Sequence, residues 1–281
     1  MTTNARTADG SGNGPHDIAD MTTGPELLHG LRTGEVRLDY QPEFDLRTRR
    51  MRAVEALARW DHPTLGALGA DSFVHLADHL AEQDELIVEF GTWALRTACV
   101  QYCEWQRADP GLDLVLRVNV SALLLSEPSI VDVVRQTLAD ADMQPSSLCL
   151  EVTEKAEPVD VLVTASVLAS VRALGVAIAL DDFGTGRNGL LELREIPFDV
   201  VKIDRAFVTQ LTRGSRDAHI IEAVVNLARA IGFEVVAEGV ENEAALEELL
   251  RLGCHRGQGY MLGEPVPADQ VMTRFAQLPP R

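Results

Sequence analysis

The chain has 281 residues, 46% of them apolar, enough for one large core or two small domains. Its formal charge of −18 leaves no basic stripe to neutralise a phosphate backbone, which excludes a nonspecific nucleic-acid or anionic-membrane binder. A small phosphorylated substrate is not excluded, because metals held by carboxylates invert the local field.

In chain order, Met1 to about Thr23 is rich in Gly, Ser, Thr, Asn and Asp and is expected to be disordered, with one domain over residues 24–281. A short helix is expected over Pro25–Thr33, opened by proline and closed near Gly34. Short β-rich runs then alternate with amphipathic ones. Strands are expected at 36–41, 51–60, 113–120, 147–152, 176–182, 199–203 and 233–238, with a weak one near 256–262. Helices are expected at 71–82, 84–108, 127–140, 158–173, 215–231 and 242–252. The turn from Asp45 to Arg50 has no room for a helix, so the first two strands should be antiparallel.

About eight strands alternating with helices predict an α/β fold, a (β/α)8 TIM-type barrel with an antiparallel first strand. An open doubly wound sheet is the alternative. The barrel is favoured by where the polar residues fall, near the C-terminal ends of five or more strands. Glu55 lies inside Met51–Trp60 with Arg59 on the same strand face, and Asn119 ends a β-branched run. Glu151 and then Glu154 follow Leu148, Lys202 lies within Val200–Asp204, and Glu238 ends Phe233–Glu238. The apolar run Val176–Leu180 delivers two adjacent carboxylates, Asp181 and Asp182, into a glycine-rich turn.

Adjacent like charges are costly unless a cation sits between them, and hard oxygen ligands suit Mg²⁺ or Mn²⁺. Each residue also has a plainer reading. Asp181 and Asp182 could form an acidic surface turn, Lys202 a snorkelling strand lysine, Arg59 a surface salt bridge and Asn119 a turn cap. Repeating buried charge near so many strand ends costs several kcal/mol each time, which favours one shared polar centre.

Cys99, Cys103, Cys149 and Cys254 form no CxxC pair and read as buried thiols of a reducing cytosol. No apolar run approaches a membrane span and no charged-then-apolar leader opens the chain, so a cytoplasmic protein is expected. His62 before Pro63 should shape the loop after the second strand, while His75, His79, His219 and His255 show no metal spacing. Trp60, Trp93 and Trp105 read as core or helix-packing residues.

Eight motifs occur in order: Tyr40-Gln-Pro42, Glu55-Ala-Leu57 with Arg59-Trp60 and His62-Pro63, Val118-Asn-Val-Ser121, Glu151-Val-Thr-Glu154, Asp181-Asp-Phe-Gly-Thr-Gly186, Lys202-Ile-Asp204, Ala237-Glu-Gly-Val-Glu241 and Gln258-Gly-Tyr260. Together, from about Leu27 to Pro267, they resemble the EAL-domain cyclic-di-GMP phosphodiesterases of bacteria. The resemblance implies metal-dependent hydrolysis of cyclic-di-GMP to linear pGpG, with two divalent cations, Mg²⁺ or Mn²⁺, as cofactors. It implies metal ligation by Glu55, Asn119, Glu151, Asp181, Asp182 and Glu238, with Asp181 bridging. It gives catalytic roles to Lys202, Glu238 and Gln258, dinucleotide contacts to Gln41, Arg59 and Asp204, and a loop tie to Glu154. The chemistry agrees, because two cations about 3.5–4 Å apart can activate water, neutralise the phosphorane and stabilise the leaving oxygen.

The chain departs from the family at Arg187-Asn-Gly-Leu190, where Tyr-Ser-Ser-Leu is usual, and at Ala58 and the stretch Leu65–Glu89. Losing two hydroxyl ties should leave the turn after the aspartates mobile. The resemblance also implies a homodimer through that face and a regulatory protein that the sequence does not identify. Family members that lack activity serve as cyclic-di-GMP receptors or protein-interaction adaptors. The alternative to the enzyme is therefore a catalytically weak or inactive member of that kind.

Overall fold

The computed structural model describes residues 23–69, 84–153, 161–186 and 189–275. The expected N-terminal disorder, the helix at 71–82, Glu154, Arg187 and Asn188 lie outside the described residues.

Among the described residues ten strands form one sheet: β1 (Val36–Asp45), β2 (Met51–His62), β3 (Gly66–Leu68), β4 (Val115–Asn119), β5 (Leu148–Thr153), β6 (Ala177–Phe183), β7 (Val200–Ile203), β8 (Glu234–Ala237), β9 (Arg256–Gly257) and β10 (Val266–Pro267). Asp45 Oδ1 accepts the backbone N–H groups of Arg47 and Thr48 at 3.0 and 2.7 Å, making an Asx-type turn. With so short a connection the chain must return antiparallel, and β1 pairs β2 from Val36–Trp60 to Phe44–Met51. From β2 the ring proceeds in parallel through β4, β5, β6, β7 and β8 to β9. It closes where β9 pairs antiparallel with β1 at Phe44–Gly257 and Asp45–Arg256. The closed eight-strand barrel with an antiparallel first strand is thus present, and the open sheet is excluded. β3 and β10 are short additions outside the ring, on β2 and β1.

Helices bridge the parallel strands at Asp84–Ala108, Ile130–Ala141, Val161–Ala173, Gly189–Glu195, Arg216–Ile231 and Glu243–Leu252. Their starts carry polar caps: the side chains of Ser215 and Asn242 accept the N–H groups of Ala218 and Ala245 at 3.1 and 2.9 Å. The helix Gly24–Thr33 is anchored by Glu26, whose Oε2 accepts both the Thr23 N–H and its hydroxyl at 2.8 Å. Left-handed Gly34, at φ 79°, closes it.

The apolar residues form two layers. Leu116, Val118, Leu150, Ile178, Leu180 and Val201 face outward onto the helices. Cys149, Ala179, Val200 and Val236 face inward with Val115 and Ala177. Trp60 and Trp105 are buried as expected and Trp93 is partly so. His62 Nδ1 accepts the N–H groups of Thr64 and Leu65, so it does shape the loop after β2. His219 and His255 are exposed. The four cysteines are free and buried.

The expected strand over 256–262 ends at Gly257. Gly259 lies so close to the Val240 backbone that a Cβ has no room, and the chain turns there. The one- or two-turn helices Ala122–Ser126, Gly189–Glu195 and Arg205–Val208 were not foreseen, because so few residues show no periodicity. The helix Ala268–Phe275 was not foreseen either; Trp105 Nε1 donates to Ala268 O at 3.1 Å at its start.

Candidate metal centre

Side chains alternate across a strand, so residues of one parity on every barrel strand point inward. On β2, β4, β5, β6 and β7 that parity supplies Glu55, Asn119, Glu151, Asp181 and Lys202, the last four near their strands' C-terminal ends and Glu55 within β2 where it pairs with β4. Glu238 and Gln258 directly follow β8 and β9. This end of a closed barrel is where functional groups from separate strands converge.

Lys202 lies at the centre, fully buried. Its Nζ is 3.0 Å from Glu55 Oε2, 2.9 Å from Glu151 Oε2, 3.2 Å from Asp181 Oδ1 and 2.8 Å from Glu238 Oε1. Burial alone would drive the proton off, yet the four carboxylates outweigh it and hold Lys202 as an ammonium. The snorkelling reading of this lysine is excluded. Glu55 also accepts from Asn119 Nδ2 at 2.7 Å and Gln258 Nε2 at 2.8 Å. Burial would raise Glu55, but Lys202, Gln258 and Asn119 together keep it below the usual carboxylate range.

In a regular strand Asp181 and Asp182 would face opposite sides. Here the register between β6 and β7 shifts between Leu180 and Phe183, and Asp182 takes the left-handed conformation at φ 55°. This bulge turns the second carboxylate to the same side as the first. A non-glycine residue held there costs about 1–2 kcal/mol, and Asp182 O accepts the Thr185 N–H and hydroxyl at 3.2 and 2.8 Å. Gly184 completes the turn at φ 99°, where a Cβ would stand 2.5 Å from the Phe207 ring. Gly184→Ala is therefore expected to lower stability by about 2–3 kcal/mol through backbone strain and overpacking. Urea unfolding checks this, and a loss under about 0.5 kcal/mol, the size of an ordinary surface change, contradicts it.

Oxygens of Glu55, Glu151 and Asp181 lie within 4.8 Å of one another, as do oxygens of Asp181, Asp182 and Glu238. Asp181 is common to both groups. Glu151 Oε1 is buried and accepts no hydrogen bond from the described residues, and Asp181 Oδ1, also buried, is met by the Lys202 ammonium at 3.2 Å without hydrogen-bond alignment. Buried oxygens without donors are costly unless a cation meets them. Burial, reinforced by neighbouring carboxylates, pushes Glu151 well above its ordinary range, raises Asp181, and lifts Glu238 to about 8. One ammonium does not offset this much negative charge. The donor set is hard oxygen throughout and fits Mg²⁺ or Mn²⁺. Asn119, with its nitrogen committed to Glu55, presents a neutral carbonyl oxygen.

The remaining candidates surround this centre. Gln41 is buried; its Oε1 accepts from Gln258 Nε2 at 2.8 Å and its Nε2 donates to Gly263 O at 3.2 Å. Arg59 is partly buried, with Nε 3.4 Å from Asp39 Oδ2, and Asp39 also pairs with Arg37. Asp204 is buried at the end of β7, and its Oδ1 accepts the Ala206 N–H at 2.8 Å as a helix cap.

The sequence reading passed over Glu43, Arg117 and Arg256, which form a second charged layer inside the barrel. A usable signal existed: Glu43, Arg117 and Arg256 each lie two residues from Gln41, Asn119 and Gln258 and share their inward parity.

The EAL domain family model matches residues 25–265. The chain is 42% identical over 256 residues to the bifunctional diguanylate cyclase/cyclic di-GMP phosphodiesterase MucR of Pseudomonas aeruginosa, across 89% of this chain and 36% of that protein. It is 40% identical over 272 residues to an uncharacterised protein of Mycobacterium tuberculosis, across 93% of this chain and 43% of that one. The chain thus spans about two fifths of the curated relatives it matches. Among solved structures, the MucR phosphodiesterase in complex with c-di-GMP superposes with a TM-score of 0.80 at 41% identity, across 88% of this chain and 98% of that one. The EAL domain of Mycobacterium smegmatis DcpA gives 0.73 at 37% identity, across 88% and 100%.

Proposed function

The chain belongs to the EAL domain family, and on that premise we propose that it hydrolyses cyclic-di-GMP to linear pGpG in a metal-dependent reaction. The observation that carries this reading is the single buried ammonium of Lys202 among four carboxylates from four strands, with Asp181 common to two cation-sized groups of oxygens. Glu55, Asn119, Glu151, Asp181, Asp182 and Glu238 hold the cations, Mg²⁺ or Mn²⁺. When bound, these supply Lewis-acid neutralisation of the phosphodiester charge.

The chain's own groups do the rest. Lys202 keeps its protons on Nζ, and an N–H released when a carboxylate turns to a cation would orient the attacking water. Gln258 Nε2 donates to Gln41 Oε1 and Glu55 Oε2, fixing those acceptors beside the centre. Water oxygen adds to phosphorus as the P–O3′ bond breaks. One of its protons ends on the freed 3′-hydroxyl and the other leaves through a carboxylate or solvent. Gln41, Arg59 and Asp204 are proposed to contact the dinucleotide.

The domain is proposed to run over 24–281, with Glu154 tying the loop that follows Asp182. A homodimer through the helix Gly189–Glu195 is supported by exposed Leu190 and Leu191, and control by a separate regulatory protein is proposed. Among the described residues no helix is long and apolar enough to cross a membrane. Four unpaired buried thiols agree with a proposed cytoplasmic location.

Purified protein incubated with cyclic-di-GMP and Mn²⁺, with nucleotides separated by chromatography, tests the proposal. Linear pGpG is the expected product. Tight binding without product would instead indicate the receptor reading.

A further inference from the structure

Beneath the carboxylates the barrel interior holds three charges that the proposed hydrolysis leaves unused. Glu43 and Arg117 are almost wholly inaccessible to solvent. Arg117 Nε donates to Glu43 Oε2 at 2.6 Å, and Arg256 Nε donates to Glu43 Oε1 at 2.6 Å. Small inward residues, Ala53, Cys149 and Ala179, make room for the guanidinium, and Arg117 Nη1 lies 3.3 Å from Cys149 Sγ. On its upper side Arg117 Nε is 3.7 Å from Glu151 Oε1, a buried oxygen that accepts no hydrogen bond.

We propose that Arg117 is a positioning residue acting through Glu151: a fixed counter-charge that stabilises the carboxylate cluster without cations and weakens its grip on them. This rests on the metal-dependent reading above. At 3.7 Å Arg117 gives Glu151 a field, not a hydrogen bond. Glu151 Oε2 is already occupied by Lys202, so Oε1 is the atom left for a cation, and any cation there meets the guanidinium as well. Arg117 cannot neutralise itself, because a guanidinium stays charged in proteins. Nor can it swing away, because Glu43, gripped from the other side by Arg256, holds it. Like charges on either side of one carboxylate repel each other, and the interior screens them poorly. By linkage, what Arg117 adds to the stability of the cation-free protein it takes from cation affinity.

The sign of the effect makes this testable. An arginine that merely orients a ligand should cost about 10–100-fold in metal affinity when removed, whereas a counter-charge should do the reverse. Mn²⁺ binding to the whole chain is measured by electron paramagnetic resonance of the free ion, alongside thermal unfolding with and without Mn²⁺. Arg117→Met is expected to melt lower without metal, to bind Mn²⁺ about tenfold more tightly, and to gain more from Mn²⁺ than wild type does. Arg117→Lys keeps the charge and should stay within about threefold of wild-type affinity. If Arg117→Met does not fold, the double variant Glu43→Gln/Arg117→Met removes both charges and should still tighten Mn²⁺ binding, by less than the single variant, since Arg117 is the charge that lies against Glu151 while Glu43 pairs with Arg117 and Arg256. Unchanged or weaker Mn²⁺ binding in the folded methionine variant overturns the inference while leaving the metal reading intact. A wild-type protein that binds no Mn²⁺ defeats the metal reading and this inference together.

Discussion

Replacing Lys202 by alanine is expected to lower the hydrolysis of cyclic-di-GMP about a hundredfold to a thousandfold, the range lost when one preorganised hydrogen-bond donor is deleted. The ammonium holds Glu55, Glu151, Asp181 and Glu238 within 3.2 Å of Nζ, so its loss affects both the water and the ligands. Removing one partner of a buried ion cluster also costs about 3–5 kcal/mol. The variant should therefore melt lower, and Mn²⁺ should restore much of the difference by supplying positive charge to the same oxygens. Product formation measured by chromatography, with melting curves beside it, separates the two effects. A folded Lys202→Ala protein that turns over at the wild-type rate would remove Lys202 from the mechanism.

Chelation should be as severe. In EDTA the rate is expected to fall about a thousandfold, since the cations account for several kcal/mol of charge stabilisation and each 1.36 kcal/mol is a factor of ten. The physical basis is the surplus of buried carboxylate oxygen over the one Lys202 ammonium, with Glu151 Oε1 left without a hydrogen bond from the described residues, in a set made wholly of hard ligands. Adding back Mg²⁺ or Mn²⁺ should restore activity. Ca²⁺ should occupy the site and inhibit, because it prefers longer bonds and looser coordination. Equal rates in EDTA and in Mg²⁺ would rule out metal-dependent hydrolysis.

Much of this architecture was legible from sequence because each ligand follows an apolar run whose period fixes its direction. The end of the helix at Ala108 was anticipated to the residue, and β4, β5 and β6 within one or two residues. The convergence of Glu55, Asn119, Glu151, Asp181 and Lys202 followed from parity once a barrel was inferred. The joint orientation of Asp181 and Asp182 was expected from their adjacency and the resemblance, but the distortion that produces it was not legible. Alternation sends neighbours to opposite faces, and nothing local announces the bulge and the positive φ at Asp182. The caps were half legible: Asp204 reads as a motif residue, yet its Oδ1 bonds the Ala206 N–H. Glu43, Arg117 and Arg256 escaped because charged residues in a strand read as solvent-facing until the ring is closed. Only the contacts of Glu43 with Arg117 on β4, past β2, and with Arg256 across the β1–β9 seam reveal that they pair inside the barrel.

The seam between β1 and β9 carries a consequence for how such a centre can be divided. Gln41 and Glu55 lie on the first two strands, while Glu238 and Gln258 follow the last two, and Gln258 reaches back to both Gln41 and Glu55 at 2.8 Å. No contiguous fragment shorter than Gln41–Gln258 contains the whole constellation. A half-barrel, however well its strands pair, inherits ligands without their partners: one half would keep Glu55 without Lys202, the other Lys202 without Glu55. The centre is therefore indivisible along the chain. Alanine substitutions can weaken it by degrees, but cutting the chain in two leaves neither piece with a smaller version of it.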